Sequence, residues 1–220
     1  MRALVIGASG GIGSAVCAAL RARGDAVVGL SRSGDGLDVT DEAAVVRVMG
    51  GLEGSFDLMF VTTGALEIGG VGPEKSLRAL DAGALAAQFA LNAMGPALVL
   101  KHGLRLLPRD RVTRVGVLSA RVGSIGDNAL GGWYGYRAAK AALNQLMHTA
   151  AIEVARSHKQ AVLACLHPGT VETPLSARHG AGHGVVSPGV AAGNLLRVLE
   201  GLTPADSGGF YDWSGARVEW

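Results

Sequence analysis

Cysteine is scarce in this chain. Its two thiols, Cys17 and Cys165, stand far apart in apolar surroundings. They offer no disulfide framework and no CxxC spacing for a metal, and they suit a reducing compartment. Charge is sparse too, at 17% of residues, and 20 basic against 18 acidic side chains leave a net +2. The basic residues are scattered, so no nucleic-acid-binding face is expected. Long hydrophobic runs are missing. The longest, Ala84 to Leu100, is interrupted by Gln88, Asn92 and Gly95-Pro96 and reads as too short and too broken to span a bilayer. The opening Met1-Arg2-Ala3-Leu4-Val5-Ile6-Gly7 runs straight into strand-like sequence, without the apolar region and cleavage site of a secretory signal. The expectation is a soluble, cytoplasmic protein with neither nucleic acid nor membrane as partner.

What is present is apolar sequence and glycine. Of 220 residues 49% are apolar, and the 34 glycines follow no G-X-Y period, which excludes collagen. A chain of this length buries roughly 70% of its unfolded surface, so residues 1–220 read as one domain. Short β-branched runs at 2–7, 26–31, 57–63, 112–118, 160–166 and 207–211 alternate with helical runs at 11–23, 41–50, 73–80, 84–107 (kinked at Pro96), 135–157 and 188–201. A very short extended piece at 36–39 brings the strands to about seven. The strands are apolar throughout, as parallel strands covered on both faces are. The order predicts a single-domain α/β protein of Rossmann type, a doubly wound parallel sheet with helices on both faces. The loop 174–188, rich in Gly and His, is the best candidate for a mobile segment. Ligands of such sheets bind beyond the carboxyl ends of the strands.

Two clusters fall at strand ends. Gly7-Ala8-Ser9-Gly10-Gly11-Ile12-Gly13 joins the first strand to the first helix. The spacing fits both GxxxGxG (Gly7, Gly11, Gly13) and GxxGxxG (Gly7, Gly10, Gly13). Glycines let the backbone approach a pyrophosphate, and the free N–H groups of the helix start hold it, which predicts a dinucleotide site. The second strand ends at Ser31-Arg32, where a 2′-phosphate would find charge-assisted hydrogen bonds. NADP(H) is therefore preferred and NAD(H) kept as the alternative, in which Arg32 is only a surface charge and Asp35 meets the ribose.

The second cluster is Tyr136-Arg137-Ala138-Ala139-Lys140, with Ser119 ending the strand before it. Tyr136 and Lys140 are four apart and share a helix face. A phenol with a pKa of about 10 is a poor proton donor near neutrality, and an adjacent ammonium favours its anion. Ser119 points to the same crevice, where a hydroxyl can bond a developing oxyanion.

With Gly7-x-x-x-Gly11-x-Gly13, Asp38-Val39, Asn92, Ser119, Tyr136-x-x-x-Lys140 and Pro168-Gly169-Thr170-Val171-Glu172-Thr173, almost the whole chain resembles the short-chain dehydrogenase/reductase family. The finer likeness is to the branch of C-factor-type proteins and sniffer-like carbonyl reductases. It is carried by Ser119-Ala-Arg-Val-Gly-Ser-Ile, Tyr136-Arg-Ala-Ala-Lys-Ala-Ala-Leu-Asn144 and Gly209-Phe-Tyr-Asp-Trp-Ser-Gly. The resemblance implies a carbonyl–alcohol oxidoreductase with a small-molecule substrate. In it Tyr136 is the general acid, Lys140 lowers the phenol's pKa and bonds the nicotinamide ribose, and Ser119 orients the substrate carbonyl. Asn92 holds a water behind Lys140, or is merely a polar residue at the kink before Pro96. Gly7, Ser9, Gly11, Ile12 and Gly13 hold the pyrophosphate. Ser31 and Arg32 face the ribose, Asp38 and Val39 flank the adenine, and Pro168, Gly169, Val171 and Thr173 hold the carboxamide. The family's usual Asn-Asn-Ala-Gly is here Thr62-Thr63-Gly64-Ala65, which puts Thr63 and Gly64 at the cofactor with changed chemistry. The resemblance also implies a homodimer or homotetramer through the long helix, whose Ala138, Ala142 and Ala150 form a small-residue face. A C-factor-like regulatory protein is the alternative of a different class.

No metal is expected. His179 and His183 have i, i+4 spacing but no third ligand near in sequence. His167 reads as a satisfied strand-end residue. Trp133 and Tyr134 either line the substrate pocket or pack the loop.

Overall fold

A computed structural model of the chain describes residues 1–173 and 184–220. Apolar segments form six strands: β1 Arg2–Ile6, β2 Ala26–Leu30, β3 Leu58–Val61, β4 Thr113–Leu118, β5 Ala161–His167 and β6 Gly209–Asp212. They make one sheet in the order β2-β1-β3-β4-β5-β6, and every pairing is parallel. The described helices are α1 Gly11–Ala22, α2 Arg32–Asp35, α3 Glu42–Gly50, α4 Ala82–Phe89, α5 Gly95–Gly103, α6 Tyr134–Val154 and α7 Pro188–Gly201. His179 and His183 lie outside the described residues, as does most of the 174–188 loop.

The pleat sends alternate apolar side chains to opposite faces. Leu4, Ile6, Met59 and Val61 join a core with Val45 of α3, Val99 of α5 and Leu143 of α6. Ala3, Val5, Leu58 and Phe60 join a second core with Leu20 of α1 and Leu195 of α7. These two cores explain why the strands show no polar alternation. Aspartates and a serine start three of the helices: Asp41 accepts from the Ala43 N–H, Asp81 from Ala84 and Ser187 from Val190. The strand order reverses between β1 and β3, and the crevice opens there.

Sequence and structure differ in four places. The seventh strand at 36–39 does not form. Ser31 accepts from the Gly34 N–H at 3.0 Å, Gly36 closes α2 at φ 67°, and Asp38 accepts from both N–H and hydroxyl of Thr40. These local bonds occupy groups that a ladder would use, and β2 becomes the sheet edge. The short helix at 73–80 shrinks to one 3₁₀ turn, Leu77–Ala79. The long helix is irregular one turn before Pro96, at a π turn over Ala90–Met94. Pro96 has no N–H to give the Asn92 carbonyl four residues back, and a wider turn accommodates that loss. Finally, the run expected to be too short and broken for a bilayer is continuously helical over Ala82–Leu106, 25 residues, long and apolar enough by length and composition. Here it flanks the sheet, α4 against α6 and α5 against α3.

Candidate active site

The carboxyl ends of β1, β3, β4 and β5 open into a cleft of about 630 Å³. Its first wall is the glycine loop. Gly7 takes φ 86°, a conformation that glycine adopts freely. A Cβ on Gly13 would come within 2.2 Å of the Gly7 carbonyl oxygen and 2.6 Å of Thr62 Oγ1, and one on Gly11 within 3.0 Å of Thr173 Cγ2. Gly10 would meet nothing closer than 3.4 Å. Of the two spacings, Gly7-Gly11-Gly13 is the one that close packing requires. Gly10 at the N-cap of α1 has no side chain to cap the first turn, and no side chain among the described residues does so in its place. Ser9, Gly11, Ile12 and Gly13 line the cleft at that turn, so its leading N–H groups are placed to receive an anion.

Lys140 and Tyr136 project from α6 into the cleft, and Ser119 follows β4. Lys140 is buried, donates to the Leu118 carbonyl at 2.9 Å, and sits 5.8 Å from the centre of the Tyr136 ring. Burial pulls the ammonium down to about 8, opposed by Cys165, and pushes the phenol up to about 12. In this arrangement desolvation governs the phenol, where an acidifying ammonium was expected. Ser119 donates to Asn144 Oδ1 at 2.6 Å.

Asn92 stands behind the cleft wall, fully engaged. Its Oδ1 accepts from the Ala65 N–H at 3.1 Å, and its Nδ2 donates to the Ala65 carbonyl at 2.9 Å and to Gln88 Oε1 at 2.7 Å. Gly64 fits between Asn92 and Lys140: a Cβ there would lie 2.9 Å from Asn92 Oδ1 and 3.3 Å from Lys140 Nζ. Thr62 donates to the carbonyls of Ile6 and Gly7, tying β3 to the glycine loop. The Thr63 hydroxyl lines the cleft, buried and without a hydrogen-bond partner among the described residues.

Pro168, Gly169, Val171 and Thr173 line the far wall with His167. His167 ends β5 as expected, but its Nδ1 is buried without a partner among the described residues, contrary to a satisfied histidine. Burial drops it to about 4, against the pull of Asp212, its register partner on β6. Ser31, Arg32, Asp38 and Val39 are not in this cleft. They sit at and beyond the end of β2, with Ser31 buried, Arg32 exposed, and Val39 buried against Gly95. Thr40 holds the Asp38 carboxyl below its usual range, with help from the Arg32 charge. Asp35 Oδ2 accepts from the Ser31 N–H at 2.7 Å, which commits the rival ribose ligand to the main chain. Trp133 lines the cleft, whereas Tyr134 lines a neighbouring hollow. The alanine face divides: Ala138 is exposed, and Ala142 and Ala150 pack on the core.

Sequence reading missed Leu66, Arg121 and Val122, which also line the cleft, and Asn144. Arg121 and Val122 follow Ser119 directly, a signal of position alone. Asn144 closes the Tyr136–Asn144 stretch of the family likeness, which gave it no role of its own, and Leu66 gave no signal, because it acts across the fold.

A doubly wound parallel sheet with a glycine loop at the end of its first strand is the fold of a nucleotide-binding protein. Residues 36–183 match the short chain dehydrogenase family, and the chain belongs to it. It is 30% identical to the 1-hydroxy-2-glutathionyl-2-methyl-3-butene dehydrogenase of Rhodococcus sp. (strain AD45), over 99% of this chain and 98% of that one. It is 36% identical to the C-signal protein of Myxococcus xanthus over 64% of this chain and 81% of that one, in keeping with the C-factor-type likeness. A protein of Burkholderia multivorans, solved with bound NADP and assigned to the short-chain dehydrogenase/reductases, superposes with a TM-score of 0.85 at 27% identity, covering 100% of this chain and 99% of that one. The chain is thus an oxidoreductase of the kind that works between an alcohol and a carbonyl.

Proposed function

We propose that the protein reduces a carbonyl compound to an alcohol with NADPH, Tyr136 supplying the proton. The observation that carries this is the convergence of Ser119, Tyr136 and Lys140 on the cleft that the uncapped start of α1 opens into. The cofactor, when bound, supplies the hydride. The N–H groups of Ser9, Gly11, Ile12 and Gly13 hold its pyrophosphate, and Ser31 and Arg32 its 2′-phosphate. Asp38 and Val39 border the adenine, while Thr63, Gly64, Pro168, Gly169, Val171 and Thr173 shape the nicotinamide end. The NADP bound to the Burkholderia multivorans relative supports this choice. A phenol pushed up to about 12 keeps its proton at neutral pH, which a proton donor to a reduced carbonyl must do. Ser119 orients the carbonyl oxygen. Lys140 holds its charge below about pH 8, and Asn92, its amide taken up by Ala65 and Gln88, fixes the Ala65 backbone beside it. Self-association as a homodimer or homotetramer belongs to the same reading, through α6, where Leu146 and Ile152 are exposed.

A panel of aldehydes and ketones with NADPH consumption as readout tests the reading, run beside Tyr136→Phe. That change removes one hydroxyl. Turnover should fall by about two orders of magnitude or more, with NADPH affinity and fold retained. Unchanged turnover in the variant would end the proposal.

A further inference from the structure

Glu74 is a buried carboxylate, 7% exposed, in the loop between β3 and α4. Among the described residues no cation pairs with it, and burying an unpaired charge is costly. Its contacts go to the start of the helix that carries Tyr136 and Lys140. The Glu74 carbonyl accepts from the Trp133 N–H, and Glu74 Oε2 accepts from the Gly135 N–H at 3.0 Å. Trp133 stands at the N-cap of α6, and its indole, a donor only, makes no capping bond to the helix N–H groups. Glu74, some sixty residues earlier, supplies both the acceptor and the negative charge that a helix start favours.

The local backbone is built around this contact. Gly131, Gly132 and Trp133 take φ of 65°, 66° and 52° in succession. Trp133 is the one residue with a side chain at positive φ among those described, and such a conformation persists where its surroundings impose it. Gly135 is needed as well: a Cβ there would come within 2.8 Å of Glu74 Oε1. The outcome is that Trp133 faces the cleft and meets Tyr136 edge-on, ring centres 6.4 Å apart at 71°.

We infer that Glu74 is a positioning residue for Tyr136, clamping the first turn of α6 from outside and so fixing the phenol and the Trp133 ring against the cleft. The inference rests on the reading of Tyr136 as proton donor. The burial that pushes the phenol up to about 12 is a property of that placement, so its titration reports the clamp without any turnover.

The chain has three tyrosines, Tyr134, Tyr136 and Tyr211. Tyrosinate absorbance followed against pH, with Tyr136→Phe as the difference standard, isolates the Tyr136 phenol; Lys140 is the charged group beside it. Glu74→Ala removes the clamp. Glu74→Asp keeps the charge but falls one methylene short of the Gly135 N–H, and Glu74→Gln keeps the acceptor without the charge. Ala and Asp should move the Tyr136 titration toward the ordinary tyrosine range and lower kcat about ten-fold or more, with the Kd for NADPH unchanged. Gln should restore both. If Glu74→Ala does not fold, the Asp and Gln variants make the comparison. A titration and kcat unmoved by Ala and Asp, or a Gln variant as impaired as Ala, would overturn the inference. Full turnover in Tyr136→Phe would instead remove the functional reading, and the titration would still show whether Glu74 places the phenol.

Discussion

Ser119 gives its hydroxyl proton to Asn144, two residues brought within 2.6 Å across 25 positions of sequence. The Asn144 Nδ2 has no hydrogen-bond partner among the described residues. Turning the amide over reverses the bond: Nδ2 then donates to Ser119, and the hydroxyl proton is freed for a carbonyl oxygen in the cleft. Asn144→Ala takes away this switchable partner. The expected result is a kcat lower by about ten-fold or more, measured by steady-state NADPH oxidation. Retained cofactor binding would show that the loss belongs to the carbonyl end, and an unchanged kcat would show that Ser119 needs no such partner.

The glycine loop makes a paired prediction. Gly13→Ala drives a methyl into the Gly7 carbonyl and should abolish NADPH binding and lower stability by about 3 kcal/mol, the upper end of what overpacking typically costs. Gly10→Ala meets only an ordinary contact at 3.4 Å and should bind cofactor nearly as the parent does. Thermal melts with and without NADPH separate the two. Equal effects would mean that Gly10 is as necessary as Gly13.

Arg32 is exposed at the start of α2, beside a serine and an aspartate that already bond each other. Its charge is therefore the group free to meet a 2′-phosphate. Arg32→Ala should weaken NADPH by about 1.5–3 kcal/mol, the range of hydrogen bonds to charged groups, and leave NADH unaltered. Binding titrations with both nucleotides read the ratio directly; a constant ratio would assign the preference elsewhere.

His167 sets an acid-stability prediction. Its folded value of about 4 lies below the ordinary 6.5, so between these pH values the unfolded chain takes up a proton that the folded one refuses. Stability falls as pH drops through that window, by about 3 kcal/mol once it is crossed. Above pH 6.5 the group contributes no pH dependence. His167→Asn should flatten this part of the curve, read from urea midpoints between pH 7 and 4. Parallel curves for both proteins would assign the acid loss to other groups.

The strands, the helix order and the convergence of Ser119, Tyr136 and Lys140 on one cleft were legible because each depends on local chemistry: apolar runs, glycine at a strand–helix junction, and i, i+4 spacing. The piece at 36–39 was misread because Ser31, Gly36 and Asp38 prefer their own backbone to a neighbouring strand. The phenol's environment was misjudged for a different reason. Spacing places Lys140 near Tyr136, but it says nothing of how deeply both are buried, and burial moves both groups. Glu74 and Asn144 lie beyond the reach of periodicity, since each acts on a segment far away in the chain.

The π turn at Ala90–Met94 adds one residue to a turn of helix, and an α-helix advances about 100° per residue. The extra residue therefore works as a phase correction, letting α4 face α6 while α5, on the same rod, faces α3. Deleting a single residue there would leave the helix more regular and the protein worse off. One half of the rod would have to rotate off its partner, and Asn92 would be carried away from the loop that it anchors.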